Sequence, residues 1–162
     1  MTNSASPSPT QAVSAAGRSL ILFSTIAILS LAGMGVSAVS LQRHYAKTIT
    51  TFCSLGEKFD CDIVNRSEYS TLMGIPVAGI GVMGYGLLLV LSTARRSRSE
   101  TSTELLLASL LGLGFALYLT YIEAYVLATW CILCLASLAL IMLIAVLAGI
   151  VKVREAKNRG SD

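Results

Sequence analysis

The chain has 162 residues, of which 54% are hydrophobic and only 13% are charged, and its formal net charge is +3. Soluble domains carry about 25% charged residues, so the composition excludes an ordinary soluble domain and argues against intrinsic disorder. The basic residues form no stripe along a helix face, which argues against a nucleic-acid partner. The composition therefore predicts an integral membrane protein.

Four apolar stretches make up half of the sequence, at residues 20–39, 75–92, 105–127 and 132–151. Each is close to the ~20 residues that a helix needs to cross the hydrocarbon core of a bilayer. None alternates with the period of a strand, and four segments are too few for a closed barrel. We expect an all-α membrane protein. It would be a bundle of four transmembrane helices with one extracytoplasmic loop of about 35 residues, at 40–74.

The Lys and Arg residues indicate the orientation. Eight of the twelve flank the start of the first stretch, the connection between the second and third, or the end of the fourth. The positive-inside rule then places both termini in the cytoplasm. We expect residues 1–17 to be a disordered cytoplasmic tail rather than a signal peptide, because no charged side chain precedes Arg18. Residues 18–152 would form the membrane domain, and residues 153–162 a cytoplasmic C-terminal tail.

The chain has four cysteines, in two pairs. Cys53 and Cys61 lie in the long loop, and Cys131 and Cys134 lie where the third stretch gives way to the fourth. Both connections follow an odd-numbered crossing, so all four cysteines are expected on one side of the membrane. The orientation makes this the extracytoplasmic side, where disulfides persist.

The second pair has the spacing C-x-x-C and begins the fourth predicted helix, directly after Trp130. The N-terminus of a helix favours a thiolate, so we expect a lowered pKa for Cys131. Cys134 would lie on the same face of the helix, about 4.5 Å deeper in the membrane. Such a dithiol could pass electrons from water-soluble thiols to an acceptor dissolved in the lipid. The alternative is that these are incidental cysteines of an apolar helix.

Seven residues separate Cys53 from Cys61. The pair is either a structural staple of the loop or a relay that exchanges disulfides with the second pair. A zinc site made of all four thiols is a weaker alternative, because the paired short spacings of zinc ribbons are missing. We therefore expect a redox relay and no metal site.

Taken together, these motifs resemble the vitamin K epoxide reductase family of membrane thiol oxidoreductases, which includes bacterial disulfide-forming members. The resemblance covers roughly residues 20–151. It is carried by Cys53 and Cys61, the segment 61–69, Gly74-Ile75-Pro76, Tyr118-Leu-Thr-Tyr121, and Trp130-Cys-Ile-Leu-Cys134.

The resemblance implies a four-helix bundle around a quinone of the ubiquinone, menaquinone or vitamin K type. Cys131 and Cys134 would form the quinone-facing centre, with Cys134 nearest the ring. Cys53 and Cys61 would exchange electrons with a thioredoxin-like protein, and Cys61 would exchange with Cys131. The candidate quinone contacts are Cys134, Ser67, Ser137 and Tyr121.

Two departures from the animal members favour a respiratory quinone over vitamin K epoxide. Leu138 replaces a quinone-contacting tyrosine, and the segment between Tyr69 and Gly74 is shorter. Because only about 11 residues follow the last apolar stretch, we expect the thioredoxin-like partner to be a separate chain. The resulting hypothesis is a disulfide-forming enzyme of a bacterial inner membrane. The alternatives are a vitamin K epoxide reductase of the endoplasmic reticulum and a non-catalytic membrane protein with a stapled loop.

Two further polar residues have alternative interpretations. Glu123 lies within the third stretch, where a carboxylate suggests a function such as proton transfer to a reduced quinone, although it is near enough to the interface to reach water. His44, the only histidine, is interpreted as an interfacial side chain.

Overall fold

A computed structural model describes residues 9–45, 60–72, 74–94 and 99–159. Its helices are α1 (Pro9–Tyr45), α2 (Cys61–Arg66), α3 (Val77–Ala94), α4 (Ser99–Ile122) and α5 (Ile132–Arg159). Between α2 and α3 lie a 3-10 turn (Glu68–Ser70) and a hairpin of β1 (Thr71–Leu72) with β2 (Ile75–Pro76). A π-helical turn (Glu123–Leu127) follows α4.

Three helical segments within the described ranges are long and apolar enough to cross a membrane. They are Leu20–Tyr45, Ser102–Leu127 and Ile132–Lys157, and α3 adds a shorter apolar segment, Val77–Thr93. Many large apolar side chains are exposed, among them Met83 and Leu111 at more than three quarters of their surface. An apolar exterior of this kind suits a lipid environment. The prediction of an all-α membrane protein is confirmed in this form.

The four long helices form a closed bundle. α1 packs most extensively on α3 and also contacts α5, while α4 packs on α5 and on α3. Ile26, Leu105 and Ile144 are fully buried at the centre. Gly33 of α1 lies against the ring of Tyr85, and a Cβ atom at this position would overlap that ring. The missing side chain therefore lets Tyr85 pass α1 and point into the bundle.

Helical structure extends into both predicted tails. α1 begins at Pro9, so the described part of the tail predicted over residues 1–17 is helical rather than disordered. Proline suits the first turn of a helix, and the alanines that follow have high helix propensity. Residues 1–8 lie outside the described ranges. α5 likewise continues to Arg159, well into the tail predicted at 153–162.

Of the loop predicted at residues 40–74, residues 40–45 belong to α1, and residues 60–72 are ordered by short local elements. The Asp60 carboxylate caps α2 by accepting hydrogen bonds from the backbone N–H groups of Asp62 (2.9 Å) and Ile63 (3.2 Å). In the hairpin, Thr71 pairs with Pro76 and Leu72 with Ile75. Gly74 closes the turn with a φ of +83°, a conformation that favours glycine. These strands have two residues each, too few for the sequence to show an alternating pattern.

Candidate active site

The short helix α2 brings Cys61 to Cys131. Cys61 is its first residue, and the backbone N–H of the preceding Asp60 donates to the carbonyl oxygen of Trp130 at 3.2 Å. This bond joins the loop to the residue before Cys131. Cys61 and Cys131 are both fully buried, pack in one cluster with Val64, and contact each other through their thiols. Residues 70 positions apart in the sequence thus share one buried site.

Cys131 and Cys134 lie at the start of α5. The carbonyl oxygen of Cys131 accepts a hydrogen bond from the N–H of Leu135 at 3.0 Å, so Cys131 stands at the N-cap and Cys134 lies in the first turn. Contact with the Cys134 thiol raises the pKa of Cys131, contact with Cys61 lowers it in part, and burial raises it further. The net shift is upward, opposite to the lowered pKa that the helix N-terminus alone predicts. Reduced Cys131 is therefore held as a thiol.

Asn65 ties the thiol cluster to α1. Its side-chain N–H donates to the carbonyl oxygen of Cys61 at 2.9 Å, and the same nitrogen lies 3.9 Å from Sγ of Cys131. The backbone carbonyl oxygen of Asn65 accepts a hydrogen bond from Nδ1 of His44 at 2.6 Å, which requires the proton on Nδ1. The side chains of Asn65 and His44 therefore hold α2 next to Cys131.

A cavity of about 420 Å³ lies in the bundle next to Cys134. Most of its lining is apolar and comes from the four long helices; its polar lining includes Ser67, Tyr85, Glu123, Cys134 and Ser137. The Tyr85 hydroxyl donates to the carbonyl oxygen of Ser137 at 2.8 Å and lies 3.0 Å from the Ser137 hydroxyl. Apolar cavities of about 300–1,000 Å³ with a few polar groups are typical of small-molecule sites.

Cys134 belongs to both features. It packs against the cluster of Cys61 and Cys131, and it is also part of the cavity wall. Cys61 and Cys131 do not line the cavity. The three described cysteines therefore form a row that runs from the loop helix to the cavity.

The structure brings most of the predicted site residues together. Cys61, Cys131 and Cys134 share one cluster, and Ser67 and Ser137 line the cavity beside Cys134. The Ser67 hydroxyl donates to the carbonyl oxygen of Val64 at 2.8 Å. Tyr121 does not reach the cavity, because its side chain is 59% exposed and its ring packs on Tyr125, with centroids 4.8 Å apart. Cys53 lies outside the described residues.

Three residues of the site are not among the sequence predictions. Nothing in the sequence separates Asn65 from its polar neighbours, and the packing of α2 against the start of α5 gives it a role. Tyr85 could have been noticed as the one aromatic residue in the glycine-rich second stretch. His44 lines the cavity and bonds to Asn65 rather than standing free at the interface.

Glu123 completes the site from the end of α4. It is 2% exposed, and its Oε2 atom accepts a hydrogen bond from the backbone N–H of Cys131 at 3.1 Å. The π-helical turn begins at this residue, and Ala128 then reverses the chain with a φ of +49°. Single π-helical turns occur often at functional sites. Here the turn leaves the carboxylate beneath the start of α5.

Comparison with known proteins identifies the family of this chain. The vitamin K epoxide reductase family matches residues 24–149, a range that contains all four cysteines and most of the bundle. No curated protein sequence matches the chain. The match covers well over half of the chain and agrees with the resemblance seen in the motifs. The chain therefore belongs to the vitamin K epoxide reductase family, whose members are membrane oxidoreductases.

Proposed function

We propose that this chain is a quinone-linked thiol oxidoreductase that supports disulfide formation outside the cytoplasm. Electrons would enter from a separate thioredoxin-like protein through Cys53 and Cys61, pass to Cys131 and Cys134, and leave to a quinone. The observation that carries the proposal is the position of Cys134, which touches the thiol cluster on one side and the cavity on the other.

The proposed membrane arrangement has four crossings. The apolar part of α3, Val77–Thr93, is at the short end of the 17–25 residues that usually cross a bilayer, and it rises about 26 Å. Four crossings put α2 and the start of α5 at the same face, which agrees with the contact between Cys61 and Cys131. The distribution of Lys and Arg favours cytoplasmic termini, as in a bacterial inner membrane with the cysteines on the periplasmic side.

The relay is a pair of thiol–disulfide exchanges. A reduced partner would first reduce the Cys53–Cys61 disulfide and become oxidised itself. The Cys61 thiolate would then attack Sγ of Cys131 in the Cys131–Cys134 disulfide, and Cys134 would leave as a thiolate that takes up the proton lost by Cys61. Cys53 would attack Cys61 and release Cys131. Cys131 is the sulfur attacked in the first exchange, where its raised pKa has no effect. In the second exchange Cys131 is the leaving group, and its raised pKa slows that step.

The cavity has the features that a quinone requires. Its walls are mostly apolar, while the Tyr85 and Ser137 hydroxyls and the Glu123 carboxyl provide hydrogen-bonding groups. A bound quinone supplies the two-electron acceptor for the dithiol. Tyr85, Ser137 and the helices around them would hold the ring, and Cys134 would face it.

Purified full-length protein in detergent tests this proposal, with reduced thioredoxin as donor and a short-chain ubiquinone or menadione as acceptor. Quinone reduction followed by absorbance should occur in the wild type and fall to background in Cys134→Ser. Ser30→Ala is the control, because this buried hydroxyl donates to Ile26 within its own helix, away from the cavity, and should keep turnover. Turnover that survives in Cys134→Ser would refute the proposed relay.

A further inference from the structure

Glu123 has one oxygen with a defined partner and one without. Oε2 accepts the backbone N–H of Cys131, whereas Oε1 is buried and has no hydrogen-bond partner of ordinary geometry among the residues that the structure describes. An unsatisfied buried carboxylate oxygen is costly, because burial removes the water that would otherwise solvate it. A glutamine at this position could accept the same N–H through its carbonyl oxygen. The hydrogen bond to Cys131 alone therefore does not require a carboxylate.

The carboxyl group also lies against the sulfurs. A carboxylate oxygen of Glu123 and the Sγ atoms of Cys131 and Cys134 are all within 4.8 Å of one another, and the Cys134 thiol contacts the carboxyl group. A thiol can donate a proton and an ionised carboxylate can only accept one. Glu123 and Cys134 both line the cavity. The proton acceptor, Glu123, and the proton donor, Cys134, therefore lie next to each other at the wall of the cavity.

We propose that Glu123 is a catalytic proton acceptor, which takes the proton of the Cys134 thiol and passes it into the cavity. The inference rests on the proposed function and adds the path of the proton. Oxidation of the Cys131 and Cys134 thiols to their disulfide releases two electrons and two protons. Reduction of a quinone to a quinol consumes both, so the overall reaction needs no other oxidant or reductant. Glu123 would carry one of these protons and return to its carboxylate form.

No second carboxylate can replace it among the described residues that line the cavity. The other titratable groups that face the carboxyl group or the cavity are Cys61, Cys131, Cys134, His44, Tyr69 and Tyr85. The His44 ring is engaged with the carbonyl oxygen of Asn65, and the Tyr85 hydroxyl with Ser137. Of these groups, only the thiols of Cys131 and Cys134 form a cluster with the Glu123 oxygen in which all atoms lie within 4.8 Å of one another.

Three substitutions separate a proton acceptor from a structural cap. Glu123→Gln keeps an oxygen for the Cys131 N–H but cannot accept a proton, and Glu123→Asp keeps the carboxylate. Glu123→Ala loses both functions. Glu104→Gln is the matched control, because Glu104 is an exposed carboxylate on α4, the helix that directly precedes Glu123. A proton acceptor predicts that Gln lowers the rate of quinone reduction roughly 100-fold while Asp restores part of it. A structural cap predicts normal turnover with Gln, and this result would overturn the inference.

A second measurement needs no quinone. The reduced full-length protein is treated with iodoacetamide between about pH 5 and pH 9, a range that begins above the ordinary pKa of a glutamate carboxyl and includes that of a thiol. Labelling of Cys134 is followed by peptide mass spectrometry. In the wild type and in Glu104→Gln, transfer of the Cys134 proton to Glu123 should keep a constant fraction of Cys134 as the thiolate. The rate of Cys134 labelling should therefore be nearly independent of pH below the pKa of the thiol. In Glu123→Gln the rate should fall about tenfold for each pH unit, since only the free thiolate reacts.

The two measurements fail separately. If the wild type reduces no quinone, the proposed function is refuted, while the labelling profile still reports on Glu123. If quinone reduction proceeds but Glu123→Gln and the wild type have the same labelling profile, the relay stands and the role of Glu123 is refuted.

Discussion

The backbone N–H of Asp60 donates to the carbonyl oxygen of Trp130 at 3.2 Å, and each of these residues directly precedes a buried cysteine. One hydrogen bond thus sets the register between the loop and the start of α5. A shift by one residue would move Cys61 away from Cys131. The contact between the two sulfurs depends on the local structure around Asp60 as much as on the bundle.

The Asp60 cap should control how well Cys61 is held. Asp60→Ala removes both capping bonds of α2 and should cost about 1 kcal/mol of local stability, the usual loss for an N-cap. We expect slower disulfide exchange between Cys61 and Cys131 and faster hydrogen exchange of the amides in α2. Asp60→Asn keeps an oxygen for the cap and should behave like the wild type. Equal exchange rates in Asp60→Ala and the wild type would contradict this role.

Asn65 should influence the sulfurs through its side-chain N–H. Asn65→Asp replaces this donor by a carboxylate near Sγ of Cys131, and a nearby negative charge disfavours a thiolate. The raised pKa of Cys131 should rise further, so that alkylation of Cys131 in the reduced protein requires a higher pH. The shift is read from labelling rates measured against pH by mass spectrometry.

Ser70→Ala is a control for Asn65, because the Ser70 hydroxyl lies 3.4 Å from His44 Nδ1 and donates to Ser67, away from the sulfurs. It should leave the labelling profile of Cys131 unchanged. A profile that does not move in Asn65→Asp would show that the amide has no electrostatic effect on Cys131.

Gly33 and Gly35 form a matched pair for testing the cavity. A Cβ atom at Gly33 would overlap the Tyr85 ring, whereas one at Gly35 has no atom within 4 Å apart from its own neighbours in α1. Gly33→Ala should displace Tyr85 from Ser137, lower the thermal stability and weaken the binding of a quinone analogue. Overpacking of this kind typically costs about 1–3 kcal/mol. Gly35→Ala should be neutral or slightly stabilising, because alanine favours a helix.

The stability of both glycine variants is measured by thermal unfolding in detergent, and their affinity by quenching of Trp130 fluorescence with a soluble quinone. Equal effects of the two substitutions would show that Tyr85 can move without cost and that its contact with Gly33 does not shape the cavity.

The helical stretches could be predicted from the sequence because runs of about 20 apolar residues have few alternatives in a membrane. The C-x-x-C pair could be predicted because its spacing is local. The contact between Cys61 and Cys131 required the resemblance to a family, since no local pattern joins residues so far apart. Most of residues 1–17 are small or polar, so the sequence shows no sign of the helix that begins at Pro9. The resemblance makes Tyr121 a candidate quinone contact, but a matching motif does not fix the rotation of a helix in the bundle. The structure instead turns Tyr121 outward and Glu123 inward.

Trapping of the disulfide between Cys61 and Cys131 tests whether electrons cross from one sulfur to the other. In the double variant Cys53→Ser with Cys134→Ser, mild oxidation should join Cys61 to Cys131 within one chain, as identified by mass spectrometry of the linked peptides. The comparison is Cys53→Ser with Cys131→Ser, in which Cys61 should pair with Cys134 more slowly. We expect rapid and nearly complete formation of the Cys61–Cys131 bond in the first variant. If Cys61 and Cys131 stay reduced there, or if Cys61 pairs faster with Cys134 in the second, the proposed relay is contradicted.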